Sequence, residues 1–238
     1  MRSKWIYAVF CVFLFLPICS LQAEDLVGRF GFGGYTSLYY PTMGLQERYQ
    51  FSTKYGVYFL YTPGSHLTTE FEYHRAVFEP GLIAERPMRW PVDMKLYDSP
   101  RAENSLIFNS FSVNGLYYFY DRTKEGGISS APYFHFGGGF CHYNSATSGL
   151  IWPGQTSKPL DPEMVIPPFE DKAFGLTMSL GLGVEVMAGR QAALDIHARY
   201  NVVVGELRSM EAYGLANVWP LQMIDVGIGM KYYLWKLK

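Results

Sequence analysis

The sequence predicts an all-β chain: an eight-stranded antiparallel up-and-down β-barrel of the transmembrane type. Three observations carry that expectation. First, Ile224, Val226, Ile228, Met230, Tyr232 and Leu234 alternate with Asp225, Gly227, Gly229, Lys231, Tyr233 and Trp235. A strand of that pattern has one apolar face and one face of glycine, charge and aromatics. Second, seven more segments repeat it, joined by connections that are alternately long and short. Third, beyond residue 23 no apolar run reaches the ~18 residues of a membrane helix, so a membrane form must be a closed barrel.

Met1 to Ala23 reads as a cleaved secretory signal. Arg2 and Lys4 precede the apolar run Ile6–Ile18, and Leu21-Gln22-Ala23 supplies a small residue before Glu24-Asp25. Residues 24–238 then form a single barrel domain. Cys11 and Cys19 would leave with the signal, and Cys141 alone cannot form an internal disulfide.

The segments follow in order. Segment one, Leu26–Tyr39, sets Phe30 and Phe32 against Arg29, Gly31, Gly33 and Tyr35, and Pro41 and Gly44 end it. Segment two, Tyr49–Tyr61, sets Phe51, Tyr55, Val57 and Phe59 against Ser52, Lys54 and Gly56. The turn Thr62-Pro63-Gly64-Ser65 follows, with proline and glycine where turns favour them. Segment three, Leu67–Phe78, sets Phe71 and Tyr73 against Glu70, Glu72 and His74. A proline-rich connection leads to segment four, Leu106–Tyr120, with Phe111 and Val113 opposite Ser110, Ser112 and Asn114. A polar turn with Gly126-Gly127 precedes segment five, Pro132–Tyr143, whose Phe134, Phe136 and Phe140 oppose His135, Gly137, Gly139 and Cys141. A second long connection, Asn144 to about Lys172, carries Trp152 and five prolines. Segment six alternates Phe174, Leu176, Met178, Leu180, Leu182, Val184 and Val186 with Gly175, Thr177, Ser179, Gly181, Gly183 and Glu185. Segment seven alternates Leu194, Ile196, Ala198, Tyr200 and Val202 with Asp195, His197, Arg199 and Asn201. The strand at 224–235 is the eighth. A further hairpin hidden in the long connections would make ten.

Glycine decides which face is inside. A soluble barrel turns its apolar face inward and its polar face to water. Here the non-apolar face carries Gly137, Gly139, Gly175, Gly181, Gly183, Gly227 and Gly229. Repeated glycine on a water-facing surface weakens a sheet without return. Inside a narrow eight-stranded barrel it makes room for Tyr35, Arg199 or Lys231. The apolar face therefore meets lipid. Tyr58, Tyr61, Tyr117, Tyr118, Tyr120, Tyr232, Tyr233 and Trp235 lie near the periplasmic strand ends, as an aromatic girdle would.

With these features the chain resembles the small outer-membrane β-barrel proteins of the OmpA-like or OmpX-like membrane-domain type. The final Val226-Gly227-Ile228-Gly229-Met230-Lys231-Tyr232-Tyr233-Leu234 carries the likeness most directly. It covers nearly all of residues 24–238, by pattern rather than by motif. It implies an outer-membrane location reached by secretion, outer-membrane lipid or lipopolysaccharide as surroundings, insertion by the barrel-assembly machinery, and a monomer. Two departures stand out: Lys236-Leu237-Lys238 follow the C-terminal aromatic, and no peptidoglycan-binding segment follows the last strand. Cell-wall anchoring is therefore not carried over.

Functional expectations come from the two faces and the loops. Arg29, Lys54, Glu70, Glu72, His74, Glu185, Asp195, His197, Arg199, Asp225 and Lys231 point inward, acids and bases nearly balanced, as a lumen charge network. Buried charges must pair, so this reads as a plug. The alternative is a porin-like conduit for ions or small solutes. Trp90 and Trp152, on the two long proline-rich loops, are the residues expected to contact a partner. A lipid A-modifying enzyme would need a paired His and Ser, and His142 with Ser145 is the sole candidate. Their spacing puts them on opposite faces of a strand, so no enzyme is expected. Asp161, Glu163, Glu170 and Asp171 lack metal-site spacing, so neither metal nor cofactor is expected. A net charge of −1 gives no basic excess for nucleic acid. The overall expectation is an outer-membrane protein with a plugged lumen and a structural or surface-interaction role.

Overall fold

The computed structural model describes residues 26–78, 82–121 and 130–236. The signal segment with Cys11 and Cys19, Pro80, the Gly126-Gly127 turn and Leu237-Lys238 lie outside the described residues. The strands are β1 (Arg29–Pro41), β2 (Ser52–Gly64), β3 (Leu67–Phe78), β4 (Met88–Arg89), β5 (Leu96–Tyr97), β6 (Glu103–Tyr118), β7 (Ser130–Ser148), β8 (Phe169–Met187), β9 (Ala192–Val204) and β10 (Leu221–Lys236). Eight of them close into an antiparallel barrel in the order β1-β10-β9-β8-β7-β6-β3-β2. The remaining two, β4 and β5, pair only with each other as a small hairpin outside the wall. The barrel therefore has eight strands, not ten.

Closure joins the first strand to the last, Gly33 opposite Lys231 and Tyr39 opposite Asp225. This removes the free edges that an open sheet would present. Burial alternates along most of each strand. In β2, Ser52, Lys54, Tyr58 and Leu60 are buried while Tyr55, Val57 and Phe59 are exposed. In β8, Leu176, Met178, Leu180 and Leu182 are all more than half exposed. The outward wall is thus the apolar one.

Two strands run further than the sequence suggested. β7 extends to Ser148 and β8 begins at Phe169, with Thr147 still opposite Phe169. The polar residues at 144–148 and 170–172 keep the alternation once strand pairs with strand, although their composition resembles a loop.

The girdle assignment also needs correction. Tyr117 and Tyr232 are about half exposed on the outer wall, but Tyr58, Tyr118 and Tyr233 are buried inside. Adjacent residues of a strand face opposite ways, so Tyr117-Tyr118 and Tyr232-Tyr233 each place one ring in the lumen.

The four long connections gather at one end. Ile83, Met88, Trp90, Leu150, Ile151, Tyr213 and Leu215 form a core of their own there. Directly beneath it, Leu45, Phe78, Leu106, Phe108, Leu221 and Met223 fill the barrel's loop-side end.

Candidate functional site

The lumen is built in layers. At the end opposite the loops, Leu26, Leu60, Ala193 and Tyr233 pack together with Tyr35 and Tyr58. At the loop end Leu45, Phe78, Phe108 and Met223 pack together as a second apolar layer. Between these two layers lie the charges.

Glu72 of β3 is their hub. Arg199 Nη1 of β9 donates to its Oε2 at 2.7 Å, and Asn114 Nδ2 of β6 donates to the same oxygen at 2.9 Å. The Tyr35 hydroxyl of β1 donates to Oε1, which also lies 2.9 Å from His74 Nδ1. A second group surrounds Lys231 of β10, with Glu70 at 2.9 Å, Glu185 at 3.3 Å and Asp195 at 3.4 Å. Tyr118 and Tyr233 donate to Glu185, and Tyr133 to Asp195, each at 2.7 Å. Arg199 joins the two groups, its Nη2 4.0 Å from Glu70, and His197 ties in a third pair: Nδ1 is 2.9 Å from Asp195 and Nε2 is 3.5 Å from Asp225, whose other oxygen takes Lys54. Aromatic rings shield the cations. Lys54 sits over Tyr39 at 4.9 Å, Arg199 over Tyr35 at 5.5 Å and Lys231 over Tyr133 at 5.2 Å.

Ten of the eleven inward charges that the sequence singles out therefore stand in one buried layer, none more than 6% exposed. Arg29 does not join them. It sits half-buried at the barrel's far mouth, opposite Lys236, because β1 has only just begun there. Sequence reasoning passed over His135, which is fully buried with Nε2 2.8 Å from Ser179 Oγ. Its place opposite Phe134 and Phe136 in the alternation was the available signal. The glycines do make the room expected of them: a Cβ on Gly56 would strike the Tyr35 ring, and one on Gly183 the Tyr133 ring.

Trp90 requires a correction. It is 1% exposed, and its indole Nε1 donates to the Gln155 carbonyl at 2.9 Å. An indole so enclosed binds the loops to each other and offers nothing to a partner. Trp152 is 45% exposed on the adjoining loop, beside the exposed Met164. Arg48 ties two further loops together, its Nη2 donating to the carbonyls of Arg208 at 2.7 Å and Ala216 at 2.6 Å. Burial lowers the pKa of this guanidinium from its ordinary value and raises that of the neighbouring Tyr49 phenol. The Tyr49 hydroxyl lies 2.7 Å from Ser145 Oγ inside the barrel. His142 points outward and packs on Phe174 at 4.8 Å. His142 and Ser145 thus stand on opposite faces of β7 and cannot act together. Among the described residues no cluster of His, Cys, Asp and Glu has the shape of a metal site, and no helix is long and apolar enough to cross a membrane.

A closed eight-stranded wall, apolar outside and charged within, decides the class. This is a small outer-membrane-type barrel. No protein-family model and no curated protein matches the sequence. Among solved structures, Neisserial surface protein A is similar, with 12% identity over 87% of this chain and 97% of that one, at a TM-score of 0.48. Ail, the attachment invasion locus protein of Yersinia pestis, has 9% identity over 87% and 99%, at 0.47. A major outer membrane protein from Thermus thermophilus has 11% identity over 86% and 99%, at 0.48.

Proposed function

We propose that this outer-membrane barrel is a non-conducting scaffold whose working part is the cap formed by its four long loops. One observation carries the reading above the rest. Among the described residues the charge layer lies between two apolar layers inside the wall, which supports a lumen without a charged path from either mouth. An eight-stranded bore is just wide enough for its own side chains. The alternative of a solute conduit would need a continuous wet path, and an enzyme would need a reactive pair that the opposed His142 and Ser145 do not supply.

The cap has the properties of a binding platform. It has its own core, and a rigid scaffold presents it. Trp152, Met164, Met94 and Leu96 leave large apolar side chains exposed on it. Exposed aromatic and methionine side chains in a polar surround are the usual anchors of interfaces. The test compares cells displaying the wild-type barrel with cells displaying Trp152→Ser/Met164→Ser, for attachment to arrays of glycans and matrix proteins. Attachment lost in the variant, with the barrel still folded, supports the platform. Wild-type cells that attach no better than cells lacking the barrel contradict it.

A further inference from the structure

The outer wall is not uniformly apolar, and one departure is organised. Arg75 of β3 stands opposite Asn109 of β6, and Asn109 stands opposite His142 of β7. All three are on the outward parity: Arg75 is exposed, and Asn109 and His142 are half-buried. They form one row across three adjacent strands, whose spacing of roughly 4.8 Å keeps the side chains within reach of one small group. Among the described residues Arg75 has no ion-pair partner, and the Tyr73 hydroxyl donates to Asn109 Oδ1 at 3.3 Å. The Asn109 amide nitrogen is therefore the end left to donate. One step towards the loops, Asn144 and Lys172 stand opposite each other on the same wall.

The two rows on the membrane side of Arg75 are of opposite character. Tyr73, Phe111 and Phe140 make the first, and Phe71, Val113 and Gly138 the second. Between their side chains runs an apolar groove of about 620 Å³. Gly138 keeps its floor open, since a Cβ there would meet only the Thr177 carbonyl oxygen at 3.5 Å. A donor row one step loopward of an apolar groove, on a wall that faces lipid, matches one kind of molecule in both its halves.

We propose that Arg75, Asn109 and His142 bind the phosphate of an outer-leaflet lipid whose acyl chain lies in the groove beneath them. Guanidinium and imidazole donors suit phosphate oxygens, and an arginine near the rim reaches the headgroups while its stem stays on apolar surface. The inference rests on the reading of this wall as membrane-facing. It deepens that reading by assigning a headgroup chemistry and a place.

The full chain is to be refolded into phosphatidylcholine nanodiscs containing a minor fraction of phosphatidic acid or, separately, of diacylglycerol. Native mass spectrometry then counts the lipids retained per barrel, and heat-modifiable gel migration reports folding. The wild type is expected to retain phosphatidic acid about tenfold over diacylglycerol, the scale of a charge-assisted contact. Arg75→Gln/His142→Gln abolishes that preference, and Gly138→Leu, which fills the groove floor, lowers retention with the barrel still folded. A folded wild type without preference, or a preference that survives both variants, overturns the lipid seat and leaves the barrel assignment intact. Competition by inorganic phosphate with no effect of Gly138→Leu also overturns it, in favour of a soluble-anion site. A chain that never folds in the bilayer overturns both readings together.

Discussion

Glu72 gathers contacts from four strands, since Tyr35, His74, Asn114 and Arg199 all converge on one carboxylate inside the wall. Removing its charge leaves Arg199 buried with Glu70 alone, 4.0 Å away. Breaking one partner out of a buried pair costs about 3–5 kcal/mol. Glu72→Gln is therefore expected to lower the unfolding free energy of the micelle-refolded barrel, read from its urea midpoint, by that amount. Gly183→Val drives a side chain into the Tyr133 ring and is expected to cost about 1–3 kcal/mol by the same measurement. An unchanged midpoint in both variants would remove the lumen from the stability account. The charges were legible in the sequence because ionised groups on a strand with an apolar opposite face have only one place to go. Tyr58, Tyr118 and Tyr233 were not, since a ring suits lipid interface and lumen alike and only its parity tells them apart.

Among the elements, the loop cap is the one that composition conceals. Its prolines and polar residues read as loose connections, yet Trp90 sits at the centre of a core made by β4, β5 and the segments after β7 and β9. Nothing local in the sequence marks this, because each loop contributes a few apolar residues and the core exists only where they meet. The strands themselves were legible to within a few residues. Their ends at Ser148 and Phe169 were not, since pairing overrides composition there. Trp90→Ala removes the largest side chain of the cap core, a truncation of the class that costs about 3–5 kcal/mol. Amide exchange across residues 82–102 and 150–166 is expected to accelerate, while exchange in β8 and β9 stays as it was. Trp152→Ala, which removes only an exposed ring, is expected to leave both unchanged. Equal acceleration by the two substitutions would show that the cap has no separate core.

For the molecule as a whole, the closed wall, the layered lumen and the loop cap divide the work. The wall is apolar outside, the interior pairs its charges across strands, and in the proposed function the cap is the part left to act. The central claim is that the interior holds the barrel together and carries nothing through it. Single-channel recording of the refolded protein in a planar bilayer tests this most directly, with insertion confirmed by heat-modifiable migration of the recovered protein. The account predicts a flat baseline at every applied voltage, and no effect of Lys231→Met on that baseline. Discrete conductance steps from inserted wild-type barrels would contradict it, and Lys231, Asp195 and Arg199 would then become the residues that set selectivity.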